Sequence, residues 1–230
     1  MRLTKEKKDI IVDLFIIAVV SFTSLGFYYV YKAQILSFAA NDDYHILIRT
    51  LFAQLIHFSS AGLGALIVIL IRREKLTKIG FNKDNLIPTF KSSIILAAAF
   101  IFLIVVRGSY RLYYPFRGVW VTDGLMVSPL PILIIGFLLC VIFSGSFEGL
   151  NYAYISRKLN ALFEVKNVYL SPGPILMAIL AFVTHSLLGL NGWQYSIQTI
   201  FLVYGMLITY EKTHNIIGCA IVFGLFWNAL

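Results

Sequence analysis

Apolar residues run through this chain in long unbroken blocks, neither alternating at every second position nor confined to one helical stripe. A block of about 20 apolar residues, rising about 1.5 Å per residue, is the length that crosses the hydrocarbon of a bilayer. Seven spans are predicted: Ile10–Tyr31, Ile46–Ile71, Ser92–Val106, one starting at Pro129 and continuing past Ser144, Pro172–Leu190, Ile197–Tyr210 and Asn215–Leu230. The shorter ones leave the count at about six or seven. A barrel is disfavoured, because its strands alternate polar and apolar residues over about ten positions. Lipid offers no hydrogen bonds to the backbone, so continuous apolar runs must be helices. The predicted fold class is an all-α integral membrane protein, a polytopic bundle forming a single transmembrane domain over 1–230. No soluble domain, low-complexity tract or repeat interrupts it.

Composition agrees with the pattern. Of the 230 residues 59% are hydrophobic and 13% charged, against about 25% charged in an ordinary soluble domain. The net charge of +8 does not point to nucleic acid, because the cations collect at span ends rather than on a basic face. The tail carries Arg2, Lys5, Lys7 and Lys8; the 72–91 loop carries Arg72, Arg73, Lys75, Lys78, Lys83 and Lys91; the 156–171 stretch carries Arg157, Lys158 and Lys166. The 32–45 loop has only Lys32 against Asp42 and Asp43, and 191–195 has no charge. This asymmetry predicts a cytoplasmic N-terminus in a multi-pass protein of the cell membrane, although Arg107, Arg111 and Arg117 in the 107–127 loop run against it. The basic start resembles a signal peptide, but the apolar run is too long and no small-residue cleavage site follows, so it reads as a retained span. Cys140 and Cys219 sit inside apolar runs and read as packing residues. Tyr110, Tyr113, Tyr114, Trp120 and Trp193 suit either an aromatic belt at the headgroups or ordinary loop packing.

Ionisable side chains inside a membrane are costly unless paired or wet, which makes each a candidate for function. The candidates are Arg49, His57, Glu148 and His185, with Asn151 and Asn228 as uncharged companions. Arg49 is expected to snorkel to the interface and His57 to be structural. Glu148, Asn151, Tyr152 and Ile155 fall on one helical face, at spacings of three and four. A carboxylate beside an amide and a phenol is either a held base or a satisfied interhelical cluster. His185 and Asn228 are each equally compatible with packing. The chain has no H-E-x-x-H, G-x-S-x-G or P-loop, and one Glu with one His is too few for a protein-held zinc. What remains is a Glu–His pair able to activate a water for attack on a carbonyl, with an asparagine amide for the oxyanion.

A Glu-centred motif, a histidine in the next span and an asparagine in the last is an order that resembles the CPBP family, the CAAX proteases and bacteriocin-processing enzymes also called Abi proteins. Their signature is a Glu-Glu pair, two residues, then an aromatic-Arg-Gly triplet, followed by F-x-x-x-H and H-x-x-x-N in later spans. The resemblance covers roughly residues 129–230, with Glu148-Gly-Leu-Asn-Tyr-Ala-Tyr154 as the first motif and Gly218-Cys-Ala-Ile-Val-Phe-Gly-Leu-Phe-Trp-Asn228 as the last span. The Lys78-Ile-Gly-Phe81 turn is also similar. Gly149 stands at the second glutamate, Ala153 at the arginine, Tyr154 at the glycine, Ala181 at the phenylalanine and Gly224 at the last histidine. A second register, with Glu148 as the second glutamate, puts Phe147 at the base and Tyr152 at the arginine, and fits the flanks less well.

The resemblance implies an intramembrane endopeptidase acting on a prenylated or leader-type peptide among membrane lipids. Glu148 would be the base, His185 would position or polarise the water and Asn228 would hold the oxyanion. It guarantees no cofactor and leaves a divalent metal open. The lost motif residues equally suit a non-catalytic relative acting in bacteriocin immunity or as an interaction protein. A transporter is a third class, but the Gly/Pro-interrupted paired spans of inverted repeats are not evident. Counting spans puts Glu148 near the cytoplasmic end of span 4 and His185 about 20 Å into span 5. The residues then meet only if span 4 ends later or tilts, and Gly145 and Gly149 would permit a kink.

Overall fold

The structure, a computed structural model, describes residues 4–106, 121–163, 165, 167–187 and 193–226, without the side chains of residues 122, 185–187, 193–197 and 219. Among these residues every regular element is helical. In chain order they are α1 (Lys5–Val30), α2 (Lys32–Ala40), α3 (Ile46–Ala61), α4 (Leu63–Arg72), α5 (Leu76–Ile79), α6 (Leu86–Val106), α7 (Thr122–Met126), α8 (Leu130–Cys140), a π-helical stretch (Val141–Glu148), α9 (Gly149–Leu162), a 3-10 turn (Val168–Leu170), α10 (Pro172–Leu187), α11 (Trp193–Thr213) and α12 (Ile217–Phe226).

Three helices are long and apolar enough to cross a membrane: α1, α6 and the continuous 33-residue helix Leu130–Leu162. The α3–α4 pair makes a fourth if taken as one span. Their outward faces are apolar: Phe15, Phe22, Ile94 and Phe102 are each about two-thirds exposed. Such surface is unfavourable in water, and a bilayer is the solvent that suits it. The expected spans 5 and 7 correspond to α10 and α12, which within the described residues are shorter than a square crossing needs. The sixth corresponds to α11, 21 residues long but interspersed with Gln194, Gln198, Thr199, Glu211 and Lys212.

Four local expectations change. The 32–45 segment is not a plain loop, because Ala33 to Ala40 contains no breaker and buries Ile35 and Ala39 as a helix. Span 2 is not straight: α3 and α4 meet at 62° around Gly62, where a Cβ would lie 3.2 Å from the Cβ of Phe147 on the π stretch. Span 3 begins at Leu86, six residues before Ser92. Span 4, expected to continue past Ser144 with Glu148 near its end, runs on to Leu162, with Gly145 and Gly149 absorbed into helical backbone. The expected belt residues Tyr110, Tyr113, Tyr114 and Trp120 lie outside the described residues, as do Arg107, Arg111, Arg117, Lys166 and the side chains of Trp193 and Cys219.

The core lies where α9, α10, α11 and α12 converge, with Leu150, Ala153, Met177, Ala181, Val203, Leu207 and Phe223 buried against one another. The Lys78–Phe81 turn caps this group from one end. Gly80 there has φ of +115°, a conformation that only glycine adopts without strain. Its carbonyl accepts the Ile216 N–H, and the Tyr210 hydroxyl donates to the Ile79 carbonyl, so the turn is bonded to the α11–α12 corner.

A cluster of three acids and three bases joins α1 to α9. Asp13, 2% exposed inside the first apolar block, receives Arg72 Nε at 2.7 Å and Lys158 Nζ at 2.9 Å. Lys158 also reaches Glu74 at 2.9 Å, and Arg157 reaches Glu74 at 2.7 Å. Asp9 lies 3.7 Å from Arg72, and the Tyr154 hydroxyl donates to Glu74 at 2.8 Å. Asp13 is an omission from the ionisable residues singled out inside spans: an acid four residues after Asp9 on the same helical face was a visible signal. Arg72, Arg157 and Lys158 therefore do more than set orientation, because each is committed to a carboxylate.

Removing one partner of a buried ion pair leaves the other uncompensated, at a cost of about 3–5 kcal/mol. Asp13→Ala is expected to lower stability by about that much, and Asp13→Leu combined with Lys158→Met by less, as measured by thermal unfolding of the purified protein in detergent. Glu74 gives a pH dependence. Burial pushes its carboxyl up, but hydrogen bonds from Lys158 and Tyr154 and the charges of Lys158 and Arg157 outweigh that and leave it below the ordinary carboxylate range. Its contribution is therefore present in full above the ordinary carboxylate pKa and is lost as pH falls through the lowered native value. Melting temperature should fall on acidification below about pH 4, with a shallower acid limb in Glu74→Gln.

Candidate functional site

Glu148 closes the π-helical stretch and opens α9. Stretches of π-helix are rare and occur often at functional sites, because the extra residue per turn redirects the side chains that follow. Here Ser146 Oγ donates to the Val141 carbonyl five residues back, in the spacing of the π turn. Ser144 Oγ donates to Gln54 Oε1 at 2.6 Å, and Gln54 Nε2 in turn meets Cys140 Sγ at 3.3 Å, so α3 is bonded to the middle of the stretch and to the residue just before it. Cys140 is thus buried as a packing residue that also accepts a hydrogen bond. Gln54 and Ser144 were not anticipated, since single amides and hydroxyls in apolar runs carry no periodic signal.

The helix continues past Glu148, which sits midway along Leu130–Leu162. Lys158 lies ten residues further along the same helix, about 15 Å beyond Glu148. Its side chain is 6% exposed. Next to it Asn151 is 7% exposed, and its Oδ1 is enclosed with no hydrogen-bond partner among the described residues. A buried acceptor left unmade costs about 1–3 kcal/mol. Tyr152 and Ile155 are half-buried on the same side of α9, and both pack on the core.

Two of the helices that pack on the Leu130–Leu162 helix are α12 and α10. The first, α12, packs along the π stretch: the Phe223 ring lies 5.4 Å from that of Tyr152, and a Cβ on Gly145 would stand 3.7 Å from the Gly224 Cα and 3.2 Å from the Ala220 carbonyl. The pair of glycines lets the two backbones approach. The second, α10, returns antiparallel to α9. Gly173 N–H donates to Asn160 Oδ1 at 2.6 Å, and a Cβ on Gly173 would collide with Ser156 and Asn160. Glu148 is 12 residues before Asn160, and His185 is 12 residues after Gly173. Counted from that contact, Glu148 and His185 stand equal numbers of residues along their helices. The His185 side chain and all of Asn228 lie outside the described residues.

The positions where the family motif is altered have structural occupations here. Ala153 is fully buried in the core, with no space for a guanidinium. Tyr154 stands beneath Lys158, whose Nζ lies 5.0 Å from its ring centre, and belongs to the charge cluster. Gly149 is buried at the start of α9. Arg49 does not simply snorkel: it pairs with Asp42 at 2.9 Å and donates to the Ala39 carbonyl, tying α3 to α2. His57 sits partly buried on α3. No three His, Cys, Asp or Glu side chains gather as a metal would require among the described residues.

Gly173→Ala tests the α9–α10 register. The added methyl meets the Ser156 carbonyl and hydroxyl and the Asn160 side chain, the hydroxyl at 2.6 Å and Asn160 Oδ1 at 2.8 Å, so α10 must move. A loss of about 1–3 kcal/mol is expected from such overpacking, read as a lower melting temperature. Ala178→Gly, which only removes a buried methyl, should cost less than Gly173→Ala.

No family model, curated protein or solved structure matches the chain, so the likeness to the CPBP family stands on the residues of 129–230 alone.

Proposed function

We propose that this is a multi-pass protein of the cell membrane, with six or seven spans and a cytoplasmic N-terminus, that hydrolyses a peptide bond near the membrane as a CPBP-type intramembrane endopeptidase. The observation that carries the reading is the buried carboxyl of Glu148 at the end of a π-helical stretch. A carboxylate inside an apolar helix is costly, which makes it a candidate for function.

In this reading Glu148 takes a proton from a water as the water oxygen attacks the peptide carbonyl. His185 polarises the water or delivers the proton to the leaving amine. The Asn228 amide donates to the oxyanion, which collapses as the C–N bond breaks. General acid–base assistance contributes about 10²–10⁴-fold, and an oxyanion donor about 10²–10³-fold. The substrate is a prenylated or leader-type peptide presented at the membrane.

A second reading is a non-catalytic relative that serves as an immunity or interaction protein. It is favoured by Ala153, a position given over to core packing where the family motif has arginine.

The test is cleavage of a panel of prenylated and leader-type peptides by purified protein in lipid. Glu148→Ala and His185→Ala should each lower turnover by at least about 10²-fold with folding unchanged. Absence of wild-type turnover on every peptide would favour the second reading, and turnover that ignores both substitutions would overturn the Glu148–His185 mechanism.

A further inference from the structure

Several polar side chains buried in this bundle have found partners: Gln54 is bonded to Ser144 and Cys140, Tyr210 to the Ile79 carbonyl, Tyr154 to Glu74, and Asn215 to the Asn82 and Asp84 carbonyls. Others, among them Thr89, Ser93 and Gln198, hold a buried polar atom with no partner among the described residues. Asn151 Oδ1 is another, and it is set apart by its place, one helical turn after Glu148 and immediately beyond the π stretch. An enclosed acceptor beside a buried carboxyl is placed to take a donor from a bound molecule.

We propose that Asn151 is a substrate-binding residue of the Glu148 site, its Oδ1 accepting a backbone N–H from an extended peptide. This rests on the hydrolytic reading of Glu148 and names what that site holds. The geometry suits one peptide unit. Side chains at i and i+3 on a helix stand about 5–6 Å apart at Cβ. Successive residues of an extended chain step by about 3.8 Å at Cα. A peptide whose N–H sits on Asn151 therefore presents a neighbouring carbonyl at the level of Glu148, within reach of the water that Glu148 would activate. The acceptor fixes the register of the peptide without reading its side chains, and apolar flanking residues would meet the Tyr152 and Phe223 rings that adjoin the site.

The experiment uses the full chain in lipid nanodiscs and the near-isosteric substitution Asn151→Leu, with Asn151→Ala as a second variant. The first readout is thermal unfolding. An amide held for a ligand leaves the empty protein no bond to lose, so Asn151→Leu should melt at or above the wild-type temperature. A clear fall in both variants would show that Asn151 makes a structural bond inside the protein and would overturn the proposal. The second readout is binding of a farnesylated cysteinyl tetrapeptide, and of its analogues in which each backbone N–H is replaced in turn by an ester oxygen, all in the Glu148→Gln background to prevent hydrolysis. One ester position should weaken binding about tenfold with Asn151 present and make no difference in Asn151→Leu. An unchanged ester penalty in Asn151→Leu, or no binding of the peptide at all, would overturn the assignment. Because binding is read without turnover, failure of the hydrolytic reading appears separately, as wild-type protein that binds with this preference and does not cleave.

Discussion

Asp13 can stay a carboxylate inside the first helix only if cations come to it, and the chain brings two, from elements 59 and 145 residues further on. A charge withdrawn from water without a partner costs several kcal/mol, so this requirement fixes more than a contact. It sets the rotation of α1, holds the end of α4 through Arg72, and pins α9 through Lys158. Glu74, on the link after α4, is gripped by the same lysine, by Arg157 and by Tyr154. The three acids and three bases balance, which suits a cluster partly withdrawn from solvent.

What that cluster holds is the helix bearing Glu148. From the charges at Arg157 and Lys158 the helix runs back without a break to Leu130, and the carboxyl sits midway along it. The π stretch stays joined to its neighbours by polar bonds to Gln54 and by glycine contacts to α12. Gly62, Gly145 and Gly173 act alike: each allows a neighbouring element to come closer than a Cβ would permit. Close approach by small residues is the packing mode open to helices whose outer faces meet lipid, where apolar surface gains little from leaving one apolar medium for another.

Much of the helical content was legible in the residues. Unbroken apolar blocks admit only helices, and the blocks at Ile10–Tyr31 and Ile46–Ile71 coincide with α1 and with α3–α4. Glu148 was legible as a candidate because a carboxylate in such a block is rare. Asp13 carried the same signal and was overlooked, because the basic tail before it read as a topology signal rather than as one side of a charge cluster. The 62° bend at Gly62 was not legible, since glycine in an apolar helix is usually tolerated without one. At the bend Gly62 sits beside Phe147, from a helix some 85 residues away in sequence.

The sequence by itself determined that the chain is helical, that it holds helices long and apolar enough to cross a membrane, and that Glu148 lies in an apolar run. Each of these depends only on composition and on neighbours along the chain. Only the tertiary structure decided how far along its helix Glu148 lies, that α10 meets α9 through Gly173 and Asn160, that Ala153 is enclosed by core, and that Asn151 keeps an unmet acceptor. Position along a helix depends on where the helix ends, register on which residues of two helices touch, and satisfaction of a polar atom on everything within about 3 Å of it. None of these is a property of spacing along one chain. They arise when the helices pack, and a single contact such as Gly173 against Asn160 fixes the register of a whole pair.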